Sequence, residues 1–166
     1  MNAHDIVKEL NLEPLRAEGG YFSETYRSVL EIPQGVLPGP IRGVRSLASA
    51  IYYLLTPDTF SAMHRLASDE VYHFYLGDPV EMLLLNPGGS SDTVVIGSNI
   101  LEGMMLQISV PAGVWQGSRL VPGGEFALMG TTMAPGFDPA DFELGKREEL
   151  AGRYPEARDM IVGLTR

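Results

Sequence analysis

Glycine and proline interrupt this chain so often that it has room for short strands and little room for long helices. Turn residues stand at Pro33, Gly35, Pro38-Gly39-Pro40, Pro57-Asp58, Gly77-Asp78-Pro79, Asn86-Pro87-Gly88-Gly89, Pro111-Ala112-Gly113 and Pro122-Gly123-Gly124. Between them lie runs rich in β-branched and aromatic residues, among them Ala50–Leu55, Val71–Leu76, Val80–Leu85, Met104–Val110 and Phe126–Met133. Short strands at regular spacing, bounded by Gly/Pro turns, predict an all-β sandwich or barrel. The two ends differ. Residues 2–12 place Ile6, Val7 and Leu10 on one helical stripe, and the tail from Asp138 to Arg166 carries a charged run with Pro155 at a predicted helix start. The whole chain, residues 1–166, suits a single domain with short terminal helices.

Composition removes several function classes. There is no cysteine, so a disulfide framework, a thiol nucleophile and a thiolate metal site are excluded, and a reducing cytoplasm is the expected setting. The net charge of -9 repels polyphosphate, so a nucleic acid polymer is not expected as a partner. No apolar run is long enough for a membrane helix, and Met-Asn-Ala-His-Asp lacks the pattern of a signal peptide.

Two phrases carry chemistry. The first runs from His64 through Leu66 and Glu70 to Gly77; the second is Pro111-Ala112-Gly113-Val114-Trp115-Gln116. In an extended run Phe60, Ala62, His64 and Leu66 share one face, and Glu70, Tyr72 and Phe74 share another. If both faces turn inward, His64 and Glu70 meet in an apolar interior, while His73 points outward. A carboxyl in such a place holds its proton more tightly than in water, which suits it to acid–base work. Structure alone can also use such a pair, as a hydrogen-bonded strut.

These phrases resemble the two motifs of the cupin superfamily, H-x-H-x(3,4)-E-x6-G and P-x-G-x2-H. Leu66 replaces the second histidine and Gln116 replaces the last. The strand Gly20, Phe22, Glu24, Tyr26 is similar to the R-G-x-F-x-E-x-[FY] strand of RmlC-type dTDP-sugar epimerases, with Gly19 in place of the arginine. With Glu18-Gly19-Gly20, Ile51-Tyr52-Tyr53-Leu54-Leu55 and Ser68-Asp69-Glu70-Val71-Tyr72-His73, nearly the whole chain resembles an uncharacterised RmlC-like cupin family of bacteria and fungi.

That resemblance implies a double-stranded β-helix, or jelly roll, a homodimer and an interior small-molecule pocket. The ligand it suggests is a nucleotide or sugar nucleotide. As an epimerase or isomerase, the chain would use His64 as base with Glu70 and Tyr72 as partners, Tyr26 being the other candidate for the proton donor. Phe22, Glu24, Tyr26, Trp115 and Gln116 would join His64 and Glu70 in binding, with Phe74 as a further aromatic wall. As a binding module, the same residues would recognise a ligand without turnover. No cofactor is expected. A transition metal would have to rest on His64, Glu70 and Gln116, which offer one imidazole, one carboxylate and a neutral amide. A metal-dependent isomerase or dioxygenase is therefore the third class.

Overall fold

The computed structural model describes residues 1–37 and 39–166; Pro38, one of the turn residues above, lies outside them. Among the described residues thirteen strands are present: β1 (Glu13–Pro14), β2 (Tyr21–Arg27), β3 (Glu31–Ile32), β4 (Arg45–Ser46), β5 (Ser49–Leu55), β6 (Ser61–Leu66), β7 (Glu70–Gly77), β8 (Val80–Leu85), β9 (Ser91–Ile96), β10 (Gln107–Val110), β11 (Trp115–Leu120), β12 (Ala127–Met133) and β13 (Phe142–Leu144). A six-stranded sheet runs β1-β2-β5-β12-β7-β10, and a five-stranded sheet runs β13-β6-β11-β8-β9. The strand pairings within both are antiparallel. This is the expected jelly-roll sandwich.

Alternation sorts the side chains into layers. Tyr53 and Leu55 of β5 join Tyr72, Val80, Met82, Ala127 and Met129 between the sheets. Leu54, on the opposite face of β5, packs with Ile6, Leu12, Phe126 and Leu128 beneath the helix α1 (Ala3–Glu9). On the other side, Leu83 and Leu85 of β8 pack with Met63, Trp115, Leu150, Ile161 and Leu164 under α2 (Arg147–Arg153) and α3 (Arg158–Gly163). The run Val80–Leu85 is largely apolar because both of its faces are covered.

The terminal elements depart in detail from the sequence reading. The helix expected over 2–12 stops at Glu9, since Leu10 caps it and Asn11 turns left-handed at φ 51. Its start is secured by a capping box in which Asn2 and Asp5 each accept the other's backbone N–H, at 3.0 Å in both cases. Pro155 opens a single 3-10 turn that leads into α3. The tail also supplies β13, which the sequence reading did not contain. The strand expected from Met104 begins at Gln107, because Ile100–Glu102 form a 3-10 turn.

Candidate functional site

His64 lies on β6, where it pairs with Gln116 of β11 on one side and Leu144 of β13 on the other. Strand parity turns His64 and Gln116 to the interior, and each is 1% exposed. The His64 Nδ1 sits 2.8 Å from the carbonyl oxygen of Ala62. A carbonyl can only accept, so Nδ1 carries the hydrogen and donates it. That leaves Nε2 as the open position, with the ring stacked on Phe142 at 5.1 Å between centroids.

Glu70 opens β7 and faces the same interior. Gln116 Nε2 donates to its Oε2 at 2.8 Å. Burial, followed by the charge of Glu18, pushes the Glu70 carboxyl above its ordinary value; His64, Thr131 and Gln116 offset part of this. The oxygen of the same amide, Gln116 Oε1, is buried without a hydrogen-bond partner.

Glu18 is the residue to which the sequence reading gave no role. Its carboxyl accepts from Ser61 Oγ at 2.5 Å, and its Oε2 stands 3.9 Å from His64 Nε2. The backbone fixes it there. Ala62 N–H donates to the Glu18 carbonyl at 2.9 Å. Gly19 and Gly20 follow at φ 116 and 72. A Cβ at Gly19 would collide with the Phe60 carbonyl oxygen, and only glycine adopts both φ values freely. The Glu18-Gly19-Gly20 phrase is the one available signal: two glycines in succession bring the preceding side chain close to another strand.

A cavity of about 260 Å³ adjoins these groups. Its apolar wall includes Phe22, Ile51, Leu66, Met133, Phe137 and Phe142. Its polar groups are Glu18, Glu24, Glu70, Ser49 and Thr131, and no lysine, arginine or histidine is in the lining among the described residues. Glu24 is engaged by Arg27 at 2.7 Å, and Arg27 also donates to the Phe137 carbonyl at 3.0 Å.

Phe22, Glu24 and Glu70 thus stand where the sequence reading put them. His64 and Gln116 lie behind Glu70 rather than in the lining itself. Tyr72 is buried with the main core, where burial, then the charges of Glu70 and Glu18, push its hydroxyl well above the ordinary range. Phe74 packs against that same core. Two residues are elsewhere. Trp115 neighbours Gln116 in sequence and so faces the opposite way, under α2 and α3, with Arg65 over its ring at 4.6 Å. Tyr26 lies past a bulge that breaks the parity of β2 after Glu24, and it is 55% exposed. His73 points outward as expected, between Gln107 and Thr132.

The donor set does not fit a metal ion. Among the described residues no three of His, Cys, Asp and Glu are grouped to hold one. Leu66 brings no donor, and Gln116 turns its nitrogen toward Glu70. Among the described residues no helix is long and apolar enough to cross a membrane.

Known proteins share this architecture. A hypothetical protein from Leishmania major superposes with a TM-score of 0.88 at 29% identity, covering 99% of each chain. Protein SO0799 from Shewanella oneidensis gives 0.87 at 34% identity, covering 100% of this chain and 98% of its own. Oxalate decarboxylase from Bacillus subtilis gives 0.50 at 12% identity over 84% of this chain, a likeness of fold alone. In sequence, the uncharacterised protein YML079W of Saccharomyces cerevisiae is 32% identical over 140 residues, which cover 80% of this chain and 70% of that protein. Residues 4–145 match the family described as Cupin superfamily (DUF985), and the chain belongs to that family.

Proposed function

We propose that this chain is a small-molecule-binding cupin whose ligand occupies the interior cavity against Glu70. One observation carries the reading: a carboxyl group set in a largely apolar chamber, held by Gln116, with its hold on a proton strengthened by burial and by the charge of Glu18. A group of that kind is built to exchange a proton with whatever sits beside it. The reaction class that suits it is isomerisation or epimerisation next to a carbonyl, as in the dTDP-sugar epimerases that the β2 strand resembles.

In such a reaction a base takes the proton from the carbon beside the carbonyl. The C–H electron pair becomes the enolate, with charge on the carbonyl oxygen. An acid then returns a proton to the opposite face, and the double bond reverts to the ketone. Glu70 supplies the acid. His64 is the base of this reading; its Nε2 faces the Glu18 carboxylate of the lining at 3.9 Å, and the ring has to move closer for the proton to reach it. The lining holds no cation for a phosphate, so a keto-sugar suits the chamber better than a nucleotide or sugar nucleotide. No step needs a metal. We extend the reading to a homodimer in the cytoplasm.

A second reading, binding without turnover, is favoured by the position of His64 behind the lining. Thermal-shift screening with keto-sugars, keto acids, nucleotides and sugar nucleotides separates the cases when run on wild type, His64→Ala and Glu70→Gln. A ligand found this way is then incubated with the protein in deuterated water. An enzyme exchanges the hydrogen next to the carbonyl, and His64→Ala loses exchange more than affinity. A binding module shows affinity loss and no exchange. If no ligand shifts the wild type, or the Glu70→Gln variant responds identically, the cavity reading fails.

A further inference from the structure

The cavity has an unbalanced supply of hydrogen-bonding groups. Glu18 Oε2 faces His64 Nε2 at 3.9 Å, beyond hydrogen-bond reach, and takes nothing from Ser61, which serves the other oxygen. Gln116 Oε1 is buried without a donor too, but it lies behind Glu70, outside the lining. The acceptor that a ligand in the cavity can reach is Glu18 Oε2. A carboxylate oxygen without a donor beside an apolar wall is costly, and a ligand N–H relieves it.

Charge points the same way. The nearby cations are already spent: Arg27 is held by Glu24, and Arg45 is paired with Asp141 at 2.7 Å through a nearly buried side chain. Glu18 and Glu70 remain in the lining, where no lysine or arginine stands among the described residues; the one basic group near them is the neutral-tautomer ring of His64 behind Glu18. The rings of Phe22, Phe137 and Phe142 share the same lining. A ring face attracts a cation and accepts an apolar body equally well.

From this geometry we infer that the cavity selects a compact organic cation, a primary ammonium on an apolar or ring-shaped body, with the ammonium held between Glu18 and Glu70. This rests on the reading that the ligand occupies the cavity, and it narrows that ligand from a neutral keto compound to one that also carries an ammonium. An ammonium has three donors and no acceptor, which complements a site whose unmet groups are acceptors. A carboxylate of the same shape would meet Glu18 as a like charge in an apolar setting.

Three probes that share a phenyl ring and differ in the polar end test this by calorimetric titration at neutral pH: 2-phenylethylamine, 2-phenylethanol and phenylacetate. The amine is expected to bind at least about tenfold tighter than the alcohol, and the carboxylate to show no binding. In Glu18→Gln, whose amide can still accept from Ser61, the amine-to-alcohol ratio should fall toward one. Equal or tighter binding of the alcohol or the carboxylate overturns the inference. So does an unchanged ratio in a Glu18→Gln protein that melts as the wild type does. If the amine is silent while a keto-sugar or sugar nucleotide binds, the inference falls and the cavity reading stands. If the probes and the wider screen are all silent, both fall.

Discussion

Glu70 keeps its proton to a higher pH in the folded chain than in the unfolded one, whose ordinary value is 4.5. Above that value the native state therefore binds more protons than the unfolded state, and stability falls as pH rises through the folded value. Glu70→Gln removes the titration while keeping a partner for Gln116. Urea unfolding over a pH series should show the variant gaining on the wild type as pH rises from about 4.5. A gap that widens toward acid would contradict this. Tyr53 offers a plainer case, since its buried hydroxyl donates to the Gly19 carbonyl at 3.0 Å. Tyr53→Phe should cost about 1–2 kcal/mol in the same assay. His64, Glu70 and Gln116 were legible in the sequence because motif spacing and strand parity act within a few residues. Glu18 was not, because its contact with Ser61 and His64 depends on how a turn far away in sequence packs on β6.

At the scale of elements, the turn before β2 and the C-terminal helices do separate things. Gly19→Ala puts a side chain against the Phe60 carbonyl at a φ of 116, so it should destabilise the fold by about 2 kcal/mol or more and weaken ligand binding by displacing Glu18. Leu150 is 2% exposed beneath the five-stranded sheet, on the side away from the cavity. Leu150→Ala should cost about 2–5 kcal/mol by leaving a hole, with ligand affinity unchanged in the folded protein. Denaturant midpoints and titrations on both variants check the contrast. The longer strands were readable from their composition. Residues 142–144 were not, because Phe142-Glu143-Leu144 is strand only through its pairing with β6. The outward turn of Trp115 follows from the same parity that turns Gln116 inward, once β11 is known to begin at residue 115.

The molecule as a whole exposes apolar side chains along two stretches, one holding Ile100, Leu101, Met105 and Leu106 and the other running on from the end of β2. Tyr26, Val29, Leu30, Val36, Val44 and Leu47 lie in the second, with Val29 95% exposed. That stretch includes the end of the β2 strand on which the homodimer proposal rests, and covering it would remove apolar surface from water. Light scattering at micromolar concentration should return twice the chain mass of 18.1 kDa, and Leu30→Glu should shift it toward monomer. A wild type at the single-chain mass would count against the dimer. The sandwich was foreseeable because turns and β-rich runs recur along the entire chain, whereas the cavity's walls come from the turn at residues 15–18, from β2, β5, β6, β7, β12 and β13, and from the segment around Phe137, which no local pattern joins. Binding and any turnover both require that the ligand enter that cavity. A crystal soaked with the compound giving the largest thermal shift tests it directly. Density should fill the space bounded by Phe22, Glu70 and Phe142, with a polar atom of the ligand at hydrogen-bond distance from Glu18 or Glu70. Density lodged instead on the outer groove around Arg65 and Glu143, with the interior empty, would contradict it.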